Sequence, residues 1–221
     1  MIKVCIFDLD GTLLNTLVTI RYYLNTTFKK FGIPEISLEK CREFVGAGAR
    51  NLMSRCFEYF GINDPELFER AFAAYNVDYD ARPTYLTKPY PGIRELITAL
   101  RADGIKLAVL SNKPDFATRA IVEEFFPDCF SVVHGGREGI PLKPSADGVA
   151  AILSELSADP SVCAYIGDSE IDVCTAKAFS PALPIAVSWG FRTEGELSAA
   201  GAPIILGSAE EVLGYIRENG V

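Results

Sequence analysis

Asp8 and Asp10, separated by one leucine and followed by Gly11 and Thr12, stand directly after the apolar run Val4–Phe7. Two carboxylates at the end of a buried run repel each other and must give up water. A divalent cation removes that conflict, and oxygen ligands suit Mg²⁺. A carboxylate so placed can also serve as a nucleophile. Gly11 lets the chain turn and brings backbone amides near an anion. A second segment, Ser111-Asn112, follows the run Leu107–Leu110 and precedes a helix. Its hydroxyl and amide either bind an oxyanion or cap the helix. In Pro141-Leu142-Lys143-Pro144, a lysine ahead of another helix can aim its ammonium at a phosphate or at an aspartate. In Gly167-Asp168-Ser169-Glu170-Ile171-Asp172, Asp168 and Asp172 are four residues apart, on one face of a first helical turn. There the helix dipole also favours acids. A nucleophilic carboxylate, a metal site and fixed positive charge are the parts that phosphoryl transfer requires.

The elements between these residues decide whether they can meet. Val4–Phe7, Leu107–Leu110, Ser131–Val133, Cys163–Ile166, Ile185–Val187 and Ile204–Leu206 read as strands. They lack polar alternation, as strands covered on both faces do. Ile93–Leu100, Ala117–Phe125, Val149–Leu156, Val173–Ala178 and Glu210–Ile216 have helical apolar spacing. Strands alternating with helices imply an α/β fold with a parallel sheet. The four chemical segments then fall at C-terminal strand ends, where open α/β sheets form their ligand crevice.

One stretch breaks the alternation. Leu17, Ile20, Leu24, Phe28 and Phe31 share a helical face, as do Leu52, Met53, Cys56, Phe57 and Phe60. Leu67, Phe68, Ala71, Phe72 and Tyr75 share a third. The expected division is an α/β core of residues 1–15 and 88–221 with a helical insert over 16–87. The insert's exit is the stiff segment Lys88-Pro89-Tyr90-Pro91-Gly92.

Composition narrows the function. Among 221 residues, 21 Lys and Arg against 29 Asp and Glu give a net charge of −8. An acidic surface argues against nucleic acid as a partner. No apolar run is long enough to span a membrane. The apolar run after Met1 is cut short by Asp8, so it does not read as a signal peptide. Six scattered cysteines without a C-x-x-C pair, beside a lone histidine, His134, do not build a zinc site. They point instead to a reducing, cytoplasmic setting, with Cys5 and Cys163 as core residues. His134 reads as structural or surface.

Taken in order, Asp8-Leu9-Asp10-Gly11-Thr12, Ser111, Lys143 and Gly167-Asp168 with Asp172 resemble the four motifs of the haloacid dehalogenase superfamily of aspartate-dependent phosphohydrolases. The similarity covers essentially the whole chain. It implies a Rossmann-like parallel core with a small helical cap, and Mg²⁺ as cofactor. By the same resemblance, Asp8 attacks phosphorus and Asp10 protonates the leaving alcohol, then activates water. Asp8, Asp168 and the backbone carbonyl of Asp10 hold the metal, with Asp172 in support. Thr12, Ser111, Asn112 and Lys143 bind the phosphoryl group. Three further stretches, Phe44–Met53, Pro89–Gly92 and Trp189–Arg192, look most like bacterial phosphoglycolate phosphatases. The implied substrate is a small phosphorylated metabolite such as 2-phosphoglycolate. Arg50 is the first candidate for its carboxylate and Arg192 the second.

Asn15, where many relatives have aspartate, and Ala178-Phe179-Ser180 depart from the usual pattern. Asp10 argues against the dehalogenase and phosphonate-cleaving branches, which lack it. β-Phosphoglucomutase-like, pyrophosphatase and nucleotidase activities remain on the same fold. A receiver-like phospho-aspartate signalling module is the rival of another class, and the helical insert counts against it. Gly46-Ala47-Gly48 lacks the third glycine of a dinucleotide site.

Overall fold

The computed structural model describes residues 1–181 and 183–219. The chain opens with β1 (Val4–Phe7) and β2 (Leu14–Asn15). Four helices follow: α1 (Leu17–Lys30), α2 (Leu38–Phe44), α3 (Ala49–Tyr59) and α4 (Pro65–Ala81). Next come β3 (Lys88–Pro89), α5 (Ile93–Ala102), β4 (Lys106–Pro114), α6 (Asp115–Phe125) and β5 (Val132–Gly136). α7 (Asp147–Leu156), β6 (Cys163–Gly167), α8 (Glu170–Phe179) and β7 (Leu183–Val187) continue the alternation. α9 (Glu194–Ala199), β8 (Ile205–Leu206) and α10 (Ala209–Asn219) complete it. Two compact units result, Thr16–Lys88 and the remainder.

In the larger unit, six strands form one sheet in the order β5-β4-β1-β6-β7-β8. The pairings are parallel throughout. Period-two alternation divides the side chains of β1 between two cores. Cys5 and Phe7 join Leu107, Val109, Ala164 and Ile166 under α5, α6 and α10. Val4 and Ile6 join Ala108, Leu110 and Tyr165 under α7 and α8. Each fully buried Leu, Ile, Val or Phe contributes roughly 1.5–3 kcal/mol, so the central strand is covered from both sides. With β1 in the middle, Asp8 emerges between the ends of β4 and β6.

β4 runs past the expected Leu110 to Pro114. Its last residues are polar, which hid them from an apolar pattern, and its register with β5 shifts between Leu110 and Pro114. β5 lies later than expected, over Val132–Gly136, and carries His134 into the interior at 1% exposure. The His134 ring bonds Glu155 on one side and Arg137 on the other. None of the six cysteines is in a disulfide, and Cys5 and Cys163 are buried.

The smaller unit is helical. α1 buries Leu17, Ile20, Leu24 and Phe28. α3 buries Leu52, Met53, Cys56 and Phe57, and α4 buries Ala71 and Tyr75. Phe31, Phe60, Leu67, Phe68 and Phe72 are only half-buried. α2 is too short to show a period; Ser37 caps it by accepting from the Lys40 amide. Asp64 caps α4 in the same way, with Pro65 in the first turn. Gly48, at φ 86°, takes a backbone conformation closed to most residues and starts α3. Among the described residues, no helix is long and apolar enough to cross a membrane.

Candidate active site

The end of β1 delivers Asp8 to the crevice. Its backbone N–H donates to the Ile166 carbonyl of β6 at 2.9 Å. Its carboxylate Oδ1 accepts from the Leu9 amide at 2.7 Å and lies 2.8 Å from Lys143 Nζ. Both contacts fall on Oδ1. Lys143 also reaches Asp172 Oδ1 at 2.8 Å. Its side chain is 3% exposed, so the ammonium is a fixed charge between two acids.

Asn112 explains how a loop lysine is held so firmly. Its amide nitrogen donates to the Lys143 carbonyl at 3.0 Å, and its amide oxygen accepts from the Lys143 N–H at 2.8 Å. The side chain expected on phosphate therefore clamps the backbone of the lysine. Ser111, 3% exposed, accepts from the Lys113 amide at 3.2 Å. Thr12, also expected on phosphate, is fully buried and donates its hydroxyl to Asp168 Oδ1 at 2.9 Å.

Asp168 is held from across the fold. The Phe191 N–H donates to its Oδ2 at 2.7 Å. The neighbouring Trp189 indole donates to the Thr12 carbonyl at 3.0 Å. The stretch Trp189–Arg192 is thus the wall of the acidic site. Asp172 sits in a capping box with Ser169 at the start of α8. Its Oδ2 accepts the Ser169 hydroxyl at 2.6 Å, and its Oδ1 accepts the Tyr165 hydroxyl at 3.0 Å. Tyr165 lies inside a segment singled out from the sequence, yet as an apolar strand residue; its buried hydroxyl gave no signal there.

One carboxylate oxygen from each of Asp8, Asp168 and Asp172 lies within 4.8 Å of the others. Burial pushes the Asp8 carboxyl well above the usual carboxylate range; Asp172 and Asp168 add to this, against Lys143. Burial, then Asp172, raises Asp168 to about 7. Asp172 goes the other way: burial opposes its charge, but Lys143, Ser169 and Tyr165 outweigh it. Lys143, at 2.8 Å from both Asp8 and Asp172, is one ammonium among three crowded, buried acids. Hard oxygen donors in that state fit a divalent cation such as Mg²⁺.

Asp10 lies apart from this trio, with Oδ1 3.3 Å from Lys113 Nζ. Lys113 was not singled out from sequence, because a lysine two residues beyond Ser111 is ordinarily solvated. Arg192 is 7% exposed, and its guanidinium bonds Glu170 at 2.7 and 3.1 Å. Arg50, in the first turn of α3, pairs with Glu69 of α4 and lies 5.1 Å from the rings of Phe68 and Phe72. Both arginines foreseen for a substrate carboxylate have protein partners within their own unit.

Space around Asp168 is minimal. A Cβ on Gly190 would collide with the Asp168 side chain and the Gly11 carbonyl. Gly190→Ala should therefore destabilise the protein by about 1–3 kcal/mol through overpacking. It should also weaken divalent-cation binding roughly 10–100-fold by displacing Asp168. Thermal unfolding and a Mg²⁺ titration check the two effects; wild-type values in both would show that the loop absorbs the methyl.

Comparison with known proteins agrees with this geometry. Residues 5–180 match the haloacid dehalogenase-like hydrolase family. A phosphoglycolate phosphatase of Rhodospirillum rubrum is 31% identical over 229 residues, covering 100% of this chain and 94% of its own. Another, from Chromobacterium violaceum, is 30% identical over 99% of this chain and 98% of its own. A crystal structure from Lactobacillus delbrueckii superposes with a TM-score of 0.90 at 34% identity, covering 97% of this chain and 98% of that one. CbbY of Rhodobacter sphaeroides, solved in complex with phosphate, superposes with a TM-score of 0.77 at 28% identity over 96% of both chains. The chain belongs to the haloacid dehalogenase-like hydrolases and is an enzyme of their phosphatase type.

Proposed function

We propose that this chain is a Mg²⁺-dependent phosphate monoester hydrolase that forms an aspartyl phosphate on Asp8 and acts on 2-phosphoglycolate. The observation carrying this reading is the placement of Asp8: Oδ1 is held by the Leu9 amide and Lys143, beside Asp168 and Asp172. Support for the substrate comes from the similarity to phosphoglycolate phosphatases at about 30% identity over nearly the whole chain.

In this reading Asp8 Oδ2 attacks phosphorus while Oδ1 stays pinned, so the nucleophile needs no reorientation. Asp10 hands a proton to the leaving oxygen, which departs as an alcohol rather than an alkoxide. It then takes a proton from the water that opens the aspartyl phosphate. Lys143 stands beside Asp8 as fixed positive charge for the phosphoryl oxygens, and Ser111 offers its hydroxyl. Asp8 and Asp168, with the Asp10 carbonyl, would hold Mg²⁺; Asp172 supports them by fixing Lys143. Bound there, the cation would offset the charge of the acids and of the phosphoryl group.

Phosphate release from a panel of phosphorylated metabolites tests the reading. We expect 2-phosphoglycolate to lead the panel, with activity abolished by excess EDTA and restored by Mg²⁺. Full activity in EDTA would contradict it, as would a requirement for a bisphosphate activator.

The acids predict a pH signature for the metal. A carboxyl whose folded pKa is raised binds protons that the unfolded chain has already lost. Asp168, at about 7, therefore costs the metal-free protein stability as pH rises from about 4 towards 7. Below about pH 7 protons compete with the cation for this carboxyl. The rise in Tm caused by Mg²⁺ should be several-fold larger at pH 7.5 than at pH 5, measured by thermal melts. A shift independent of pH would separate the metal from these carboxylates.

A further inference from the structure

We propose that Lys113 is a specificity-determining residue that holds a carboxylate carried by the leaving group of the substrate. This rests on the phosphatase reading above and names the substrate class of the same site: phosphate monoesters of small hydroxy acids.

Lysine is seldom covered unless something holds its charge. The Lys113 side chain is only 7% exposed, and the acid 3.3 Å away is Asp10, the group assigned to the leaving oxygen. The second buried ammonium of the site, Lys143, stands at Asp8 and Asp172 instead. The two lysines thus mark two ends: Lys143 belongs to the phosphoryl group and Lys113 to whatever departs.

The backbone at Lys113 is fixed from three directions. Its N–H donates to Ser111 Oγ at 3.2 Å, and its carbonyl accepts from Thr118 Oγ1 at 3.2 Å. Gly135 of β5 packs so close that a Cβ there would meet the Lys113 carbonyl at 2.5 Å. A cation on so rigid a base is preorganised, which is where binding energy is lost least to ordering.

Substrate geometry supplies the rest. A proton donor must lie within hydrogen-bond reach of the bridging oxygen. In phosphoglycolate the carboxylate carbon is two bonds from that oxygen, so Asp10 and the carboxylate are neighbours. Lys113 already stands beside Asp10, whereas Arg192 bonds Glu170 and Arg50 bonds Glu69. A charge-assisted hydrogen bond from a covered ammonium to a carboxylate would discriminate strongly against a substrate lacking the acid.

The test compares 2-phosphoglycolate with ethyl phosphate, which has the same carbon count and no carboxylate, in wild type, Lys113→Gln and Lys113→Arg. Lys113→Gln should lower kcat/KM for phosphoglycolate by about 30-fold or more, mainly through KM, and change ethyl phosphate less than about threefold. Lys113→Arg should recover part of the loss. Inhibition by glycolate should weaken at least about tenfold in Lys113→Gln, while inhibition by inorganic phosphate stays within about twofold. Retained turnover of ethyl phosphate certifies the fold of the variant. Equal losses on both substrates would overturn the proposal and make Lys113 a partner of Asp10 alone. No loss on either would overturn it as well. A wild type that treats both substrates alike would overturn the proposal and leave the phosphatase reading intact. A wild type inert towards both with Mg²⁺ would overturn that reading and the proposal together.

Discussion

Asp8→Asn should abolish phosphatase turnover, by at least about 10³-fold or roughly 4 kcal/mol, while leaving the protein folded and no less stable without metal. The two halves of this expectation come from the same carboxylate. An amide is a poor nucleophile and a weaker ligand for a hard cation. Its oxygen can still accept from the Leu9 amide and from Lys143, the two partners on Asp8 Oδ1. The substitution therefore preserves the local hydrogen bonds. It removes one of three crowded, buried acids, one whose charge is opposed by burial, by Asp172 and by Asp168. Without metal, the variant should melt at or above the wild-type temperature; with Mg²⁺, wild type should gain more. Phosphate release at saturating substrate and circular-dichroism melts with and without Mg²⁺ read the two halves separately. Turnover near the wild-type rate would remove Asp8 from the nucleophile's role. A collapse of the melting temperature would make Asp8 a structural residue instead.

Lys143→Met should have the largest effect on stability, about 3–5 kcal/mol, because it strips the counter-charge from buried Asp8 and Asp172. In a chain of this size that corresponds to a fall in Tm of roughly 6–20 °C. Activity should fall with it if Lys143 is, as proposed, the fixed cation for the phosphoryl oxygens. The pH dependence identifies the cause. Burial works against the Lys143 charge, but Asp172 and Asp8 outweigh it and hold its pKa well above the usual lysine value. Its contribution is therefore fully present below the pKa of an unfolded lysine and is lost only as pH rises through the higher folded value. Asp172 is depressed in the folded state, so its contribution is present above about pH 4 and is lost as pH falls through the folded value. The deficit of Lys143→Met should accordingly be smaller near pH 4, where the acids take up protons, and largest between about pH 6 and 9. Denaturant unfolding at pH 4.5 and pH 8 measures it. Equal deficits at the two values would mean that the loss is one of packing.

Much of this arrangement was legible before any coordinates, and for one reason. A parallel sheet covered on both faces writes its strands as continuous apolar runs, and what interrupts them at the C-terminal ends has a cause outside the core. Val4–Phe7 ending in Asp8, and Cys163–Ile166 ending in Gly167-Asp168, carry that signature plainly. The three long helices of the smaller unit were readable because each repeats its apolar face over several turns. α2 and α9, with 7 and 6 residues, are too brief to repeat anything. The polar end of β4 was invisible for the opposite reason, since Ser111, Asn112 and Lys113 interrupt the apolar pattern that marks a strand.

Tertiary structure alone decided what each polar side chain touches. Thr12 and Asp168 are 156 residues apart, and Phe191 reaches Asp168 from another strand end. Asn112 clamps the backbone of Lys143 across 31 residues, and Lys113 meets Asp10 only because β1 and β4 are neighbours. Local sequence carries propensity, period and charge over a few residues, which suffices to place an acid at the end of a strand. A hydrogen bond between distant segments has no period and no local preference. Its partners are selected by which strand ends the sheet order brings together, and by burial that leaves no water to satisfy them otherwise.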